Sequence, residues 1–317
     1  MKILIHGAGG IGGYFGAKLA HAGNEVWCVA RGEHYAAMKK NGLQVSSTEG
    51  QFRIHSSHII NSPAEASFVD FVLFCVKTYD TESAAAQLQP VVDDKTVIIS
   101  LQNGIDNEVK IQRALKKGTV YGGVANISSR IVAPGEIAET GGVVRIAFGP
   151  MNNPSQSERT QKILDCFTHA KITAHLSNNI LIDLWLKFIF ITSAGGFMAM
   201  SRLTQGEVLA VEEARTTVFK AMKEIEALAL AQHIPIEPLE EEKVFDGMKK
   251  FNPNTRPSMY YDLVRGKPME IEALNGTVVR LGKQLGIPTP IHNTMYAALL
   301  PFHLSSIEKF VRSATET

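Results

Sequence analysis

Apolar and polar positions along the first half of the chain alternate between a strand-like and a helix-like period. Residues 2–6 form a short apolar run, residues 12–22 have helical composition ending at Gly23, and residues 25–30 (Glu-Val-Trp-Cys-Val-Ala) read as a second strand. Together they make a βαβ unit of about 30 residues. The pattern then repeats more loosely, with an apolar strand at 68–76, a helix-like stretch at 81–88 and a buried strand at 96–101. Further β-prone pieces at 119–124, 136–139 and 143–148 are expected to extend the same sheet, before a helix at 155–170 and a last strand near 171–176. This alternation predicts an α/β fold whose N-terminal part is a Rossmann-type, doubly wound, mostly parallel sheet.

From about residue 178 the period changes to that of long helices. In residues 208–231 the apolar positions Val218, Phe219, Met222, Ile225 and Leu228 recur at helical spacing, and no further buried strand is evident. The expected organisation is therefore a sheet domain over residues 1–177 and an all-helical domain over residues 178–317, interrupted at the Pro-containing segments 252–257 and 286–290.

Composition narrows the class of protein. Lys plus Arg number 32 against 31 Asp plus Glu, a formal charge of +1, with no basic run; nucleic acid and anionic membrane are poor partners for such a chain. Cys28, Cys75 and Cys166 are far apart in apolar contexts and read as buried thiols of a reducing compartment. The N-terminus runs straight from an apolar strand into glycines, without the pattern of a signal peptide, so a cytoplasmic location is expected. Residues 181–200 have the length of a membrane span but carry Asp183 and Lys187 early, and are read as a buried helix.

The glycine cluster supplies the first chemistry. Gly7-Ala8-Gly9-Gly10-Ile11-Gly12 fits G-x-G-x-x-G, follows a predicted strand and opens a predicted helix, the context in which such a loop binds a dinucleotide. Gly7 would allow the tight turn, Gly9 the approach of a pyrophosphate to the backbone, and Gly12 close packing of helix on strand. Where an NAD site usually places Asp or Glu, about 20 residues on, stands Arg31. A guanidinium matches a 2′-phosphate in charge and shape, which favours NADP(H). The plainer reading is that Arg31 opens a solvated loop and Glu33 serves the ribose. Lys77 and Asn103 follow the strands at 68–76 and 96–101, at the end of the sheet where ligands bind. Lys77 either meets a cofactor phosphate or is a solvated strand-end charge; Asn103 either belongs to an Asn-Gly turn or offers its amide to cofactor or substrate.

Three polar residues of the helical part stand out. Lys187 lies in an apolar helix, Ser258 follows Pro257, and Glu270 opens the stretch Met269-Glu270-Ile271-Glu272. Singly, each has a structural reading: pairing of Lys187 with Asp183, a helix cap at Ser258, a helix-dipole partner at Glu270. Taken together with the glycine loop, Arg31, Val76-Lys77-Thr78, Gln102-Asn103-Gly104, Asn178-Asn179, Trp185-Leu186-Lys187, Ser258-Met259 with Asp262, Glu270-Ile271-Glu272 and Gly286-Ile287-Pro288, they resemble the ketopantoate reductase (2-dehydropantoate 2-reductase) family over nearly the whole chain.

That resemblance implies NADPH-dependent reduction of a 2-keto acid to a 2-hydroxy acid, most directly 2-dehydropantoate to pantoate in pantothenate and coenzyme A biosynthesis. It implies Lys187 as the catalytic lysine, Glu270 as the partner of the substrate hydroxyl, Asn103 and Ser258 as substrate-binding residues, and Arg31 at the 2′-phosphate. The chain departs from the pattern in one place. Where the family commonly carries asparagines four and eight residues after the lysine, on the same helical face, this chain has Ile191 and Gly195. A keto acid with a different tail is therefore an alternative substrate. An opine or 6-phosphogluconate-type dehydrogenase and a non-catalytic NADPH-binding regulator are further alternatives, and a homodimer stays open. No metal is expected.

Overall fold

The computed structural model describes residues 1–151 and 157–315. The described residues form twelve strands: β1 Lys2–His6, β2 Glu25–Val29, β3 Leu43–Ser47, β4 Gly50–Ile54, β5 Ile59–Ile60, β6 Phe71–Phe74, β7 Val97–Ser100, β8 Thr119–Asn126, β9 Ser129–Ala133, β10 Glu136–Glu139, β11 Arg145–Pro150 and β12 Ala174–Leu176. The helices are α1 Gly10–His21, α2 Gly32–Asn41, α3 Thr81–Ala86, α4 Asn107–Ala114, α5 Glu158–His169, α6 Ile180–Ser201, α7 Gln205–Ala210, α8 Glu212–Ala231, α9 Glu241–Lys249, α10 Ser258–Val264, α11 Thr277–Leu285 and α12 Pro290–Thr315.

Two compact units divide the chain, one comprising Met1–Gln102 and Asp106–Leu184, the other Asn103–Ile105 and Trp185–Thr317. In the first, eight strands lie in the order β12-β11-β8-β7-β6-β1-β2-β5. All neighbours are parallel except β8 and β11. Strands β1, β6 and β7 are apolar on both faces because both are covered, with Ile3, Ile5, Phe71 and Leu73 in one core layer and Leu4, Val72 and Phe74 in the other. The chain goes to one side of β1 for β2 and to the other for β6, so a topological switch point lies between β1 and β6. Ligands of open α/β sheets bind at the strand carboxyl ends there.

Several sequence expectations need correction. The run 68–76 yields only the short β6, and Phe68 is 61% exposed. Residues 136–139 do form a strand, β10, but in a separate four-stranded sheet of order β4-β3-β10-β9. Its strands β3 and β4 have a single buried face and little apolar content, so their signal was weak. Helix α1 packs through Tyr14, Phe15 and Ala17 into a core shared by Leu43, Val45, Ile54 and Ile137 of this small sheet and by Ile5 of the large one. The predicted helix at 155–170 is observed as α5, capped by the Ser157 hydroxyl, which accepts from the Thr160 amide at 3.2 Å; residues 155 and 156 lie outside the described residues. The last strand is only β12, because Lys171 turns with φ 54°. The single helix expected at 208–231 is two, broken at Val211.

In the second unit every described element is helical. The division between the units falls inside α6, seven residues beyond the expected boundary, because Ile180 and Leu184 pack with Val124 and Ala147 of the sheet unit. Helix α6 is long and apolar enough by composition to cross a bilayer, yet more than half of its apolar stretch is buried within the protein. Helix α8 packs on α11 and α12, and Val218, Ile225 and Leu228 of α8, Val278 of α11 and Met295 of α12 are all buried. The Gly286-Ile287-Pro288 motif ends α11: Gly286 is left-handed at φ 69° and the Ile287 amide reaches back to the Gly282 carbonyl at 2.9 Å.

Candidate active site

The glycine loop leaves β1 at the switch point. Gly7 has φ 99°, and a Cβ there would come within 2.7 Å of the Val76 amide nitrogen, so both the conformation and the contact exclude a side chain. A Cβ on Gly12 would meet Ile5 Cγ2 at 2.9 Å and Cys75 Cβ at 3.0 Å, which is the close helix–strand packing expected of it. Above Gly9 the space is open, with no heavy atom within 4 Å of a Cβ built there among the described residues. Gly9 is the N-cap of α1 and brings no side chain to the helix terminus. An open, uncapped helix N-terminus at the switch point suits a pyrophosphate, and the residues present therefore fit a dinucleotide.

Ala8, Gly10 and Ile11 complete the loop, and a residue the sequence reading missed holds it. His34, on α2, has its Nε2 at 2.9 Å from the Ala8 carbonyl and its Nδ1 at 2.9 Å from the Gly135 amide. The carbonyl can only accept and the amide can only donate, so the imidazole is neutral with its proton on Nε2. Burial lowers the pKa of His34 in agreement with that state. His6, at the end of β1, is likewise neutral: burial pushes it down to about 4, and its Nε2 donates to the Ala84 carbonyl at 3.0 Å.

Arg31 is the N-cap residue of α2 and its side chain is 69% exposed. Its Nη2 donates to Asp80 Oδ2 at 2.5 Å. Lys77 is half-buried and opens the turn after β6, in which the Asp80 amide bonds the Lys77 carbonyl at 2.9 Å. Gln102, buried at the end of β7, donates to the Val76 carbonyl at 3.0 Å and to the Thr81 hydroxyl at 2.8 Å. It thereby fixes the Lys77 turn to the strand end that delivers Asn103.

Asn103 groups with the helical unit. Its Nδ2 amide donates to Glu270 Oε2 at 3.5 Å, across 167 residues of sequence. Glu270 is buried, and its own carbonyl accepts from the Leu274 amide at 3.1 Å at the entrance to a π-helical turn, Glu272–Gly276. Such turns widen a helix locally and recur at functional sites. The buried Asn275 of this turn donates to the Thr192 carbonyl of α6 at 3.4 Å.

Lys187 is half-buried on α6, and helical spacing puts Ile191 and Gly195 on its face. Gly195 is buried, yet a Cβ there would meet one described neighbour within 4 Å, the Cβ of Pro257 at an ordinary 3.5 Å, so the helix has room for a Cβ beside that proline. Phe190 stacks on Phe251, with ring centroids 6.1 Å apart, and so ties the 251–257 segment to α6. Ser258 follows as the exposed first residue of α10; Pro257 is the N-cap, so the serine does not take the capping position. Asp183 accepts from the Ser177 hydroxyl in a short hydrogen bond. The second unit thus brings Asn103 to Glu270 and Pro257, beside Ser258, to the lysine-bearing face of α6.

The chain matches the family described as ketopantoate reductase PanE/ApbA over residues 3–153, and its C-terminal counterpart over residues 179–302. An uncharacterized oxidoreductase of Bacillus subtilis (strain 168), YkpB, is 30% identical over 94% of this chain and 98% of its own. A 2-dehydropantoate 2-reductase of Nostoc sp. is 28% identical over 94% of both chains. The crystal structure of a PanE/ApbA family ketopantoate reductase from Ralstonia eutropha JMP134 superposes with a TM-score of 0.86 at 29% identity, over 96% of this chain and 99% of that one. With both halves matched and the similarity running end to end, the chain belongs to the ketopantoate reductase family of oxidoreductases.

Proposed function

We propose that this protein reduces the C2 carbonyl of a 2-keto acid to a 2-hydroxy acid with NADPH, 2-dehydropantoate being the first substrate to try, in the cytoplasm. The observation that carries the reading is the Asn103 amide set against the buried Glu270 carboxylate, in the same compact unit as the lysine helix, within a chain of this family. Gly7 to Gly12, Arg31 and Lys77 are the residues to hold the dinucleotide, which when bound supplies the hydride. Lys187, as an ammonium, polarises the keto oxygen and passes it a proton as negative charge develops there. Glu270 accepts a hydrogen bond from the substrate hydroxyl, Asn103 and Ser258 orient the substrate, and no metal is needed for these roles. With 2-dehydropantoate the product would enter pantothenate biosynthesis.

A second reading has its own support. Ile191 and the buried, side-chain-free position at Gly195 beside Pro257 offer apolar walls, which suits a keto acid with a plain alkyl tail. Mixing the protein and NADPH with 2-dehydropantoate and a series of alkyl 2-keto acids, and following cofactor oxidation, separates the two by the ratio of kcat/KM. Oxidation with none of them, in folded protein that binds NADPH, would contradict both and leave a binding protein.

A further inference from the structure

The guanidinium expected to meet a 2′-phosphate already has an anionic partner. Arg31 Nη2 lies 2.5 Å from Asp80 Oδ2, a contact between residues 49 apart in sequence that join the ends of β2 and β6. Asp80 is only 24% exposed, whereas Arg31 is 69% exposed, so the carboxylate is the fixed member and the long arginine side chain comes to it. Its placement follows from the backbone: Asp80 closes the turn begun by Lys77 and precedes α3, anchored by its amide on the Lys77 carbonyl and by its own carbonyl accepting the Ser83 hydroxyl at 3.0 Å. Glu33, the nearer acid in sequence, points from the exposed first turn of α2.

Two physical consequences follow for a dinucleotide at the glycine loop. A 2′-phosphate of charge about −2 gains the arginine only by displacing the carboxylate or by sharing the guanidinium with it at close range, and either is costly because like charges then lie within a few ångströms. A ribose with a free 2′-hydroxyl meets no such conflict. We propose that Asp80 sets the cofactor preference of this protein: by holding Arg31 it suppresses the advantage of NADPH over NADH, so that both are bound with similar affinity. This rests on the dinucleotide site assigned above, and it makes Asp80 a specificity-determining residue that sequence reading at Arg31 alone does not reveal.

Binding, read without turnover, tests it. NADPH and NADH are titrated against the wild type, Asp80→Asn, Asp80→Glu, Arg31→Ala and the Arg31→Ala/Asp80→Asn double variant, following quenching of protein fluorescence, with melting curves to show that each is folded. Adenosine 2′,5′-bisphosphate and AMP serve as fragments that carry or lack the phosphate. Asp80→Asn is expected to tighten NADPH and the bisphosphate about three- to tenfold while leaving NADH and AMP within about twofold, the scale of an exposed ion pair plus the relieved repulsion. Asp80→Glu, which keeps the charge, should keep the wild-type ratio, and the gain from Asp80→Asn should shrink when Arg31 is absent. An unchanged NADPH-to-NADH ratio in Asp80→Asn, alongside a loss of NADPH in Arg31→Ala, would overturn the role of Asp80 while sparing the cofactor site. Failure of the folded wild type to bind either dinucleotide would overturn both.

Discussion

Lys187 and Glu270 are the residues on which the proposed chemistry turns, and their replacement separates catalysis from folding. Lys187→Ala removes the proton donor, so kcat should fall about 10²-fold or more while cofactor affinity and the melting temperature stay near wild type. A loss of melting temperature with turnover per folded molecule intact would mean that the lysine only packs α6. Glu270→Gln keeps a hydrogen-bonding side chain beside Asn103 and should retain part of substrate binding, whereas Glu270→Ala should raise KM and lower kcat together. Restoring asparagine at both Ile191 and Gly195 should move the ratio of kcat/KM toward 2-dehydropantoate and away from alkyl keto acids. Gly195 is buried but leaves room for a Cβ, which would meet Pro257 at an ordinary 3.5 Å, unlike the neighbouring Gly196, where a Cβ would come within 2.7 Å of Asn275 Nδ2. Of this site, the sequence carried the residue types and their order. What it did not carry was the pairing of Arg31 with Asp80, of Asn103 with Glu270 and of His34 with the glycine loop, because each joins positions that only the fold makes neighbours.

At the scale of elements, the legible parts were those with a strong period. The βαβ unit with its glycine turn and the apolar β7 could be read because burial on both faces leaves an apolar run, and helix α8 because its apolar residues recur on one face. The small sheet was not legible as a sheet: β3 and β10 pair across about 90 residues, and a strand with one buried face in five residues gives little pattern. Yet this sheet bears on the site, since it covers α1 and supplies, just before β10, the Gly135 amide that His34 binds. His34→Ala should therefore weaken NADPH and NADH alike and lower stability by about 1–2 kcal/mol for two lost hydrogen bonds. Arg31→Ala should instead act selectively, lowering the NADPH-to-NADH ratio in the Asp80→Asn background, where the guanidinium is released from its carboxylate. Titration of both on the two variants checks it, and a selective effect of His34→Ala would mean that the imidazole touches the adenosine and does not act through the loop.

For the whole molecule, buried neutral histidines in both units impose a common pH dependence. His6 in the sheet unit and His292 in the helical unit are each lowered by burial from 6.5 to about 4. The unfolded chain therefore binds more protons than the native one between these values, so stability is fully present above pH 6.5 and is lost as pH falls through that window. Melting temperature should drop progressively from pH 7 toward pH 4, and a folded His6→Gln variant should show a shallower slope. A slope identical to wild type would remove His6 from the linkage. Hydride transfer to a keto carbon can be followed by isotope. With NADPH carrying deuterium at the transferring position of the nicotinamide and a 2-keto acid that the protein turns over, mass spectrometry should find one deuterium at C2 of the 2-hydroxy acid, with Lys187→Ala forming the same product far more slowly. A hydroxy acid without the label, or oxidised cofactor with no hydroxy acid formed, would contradict it.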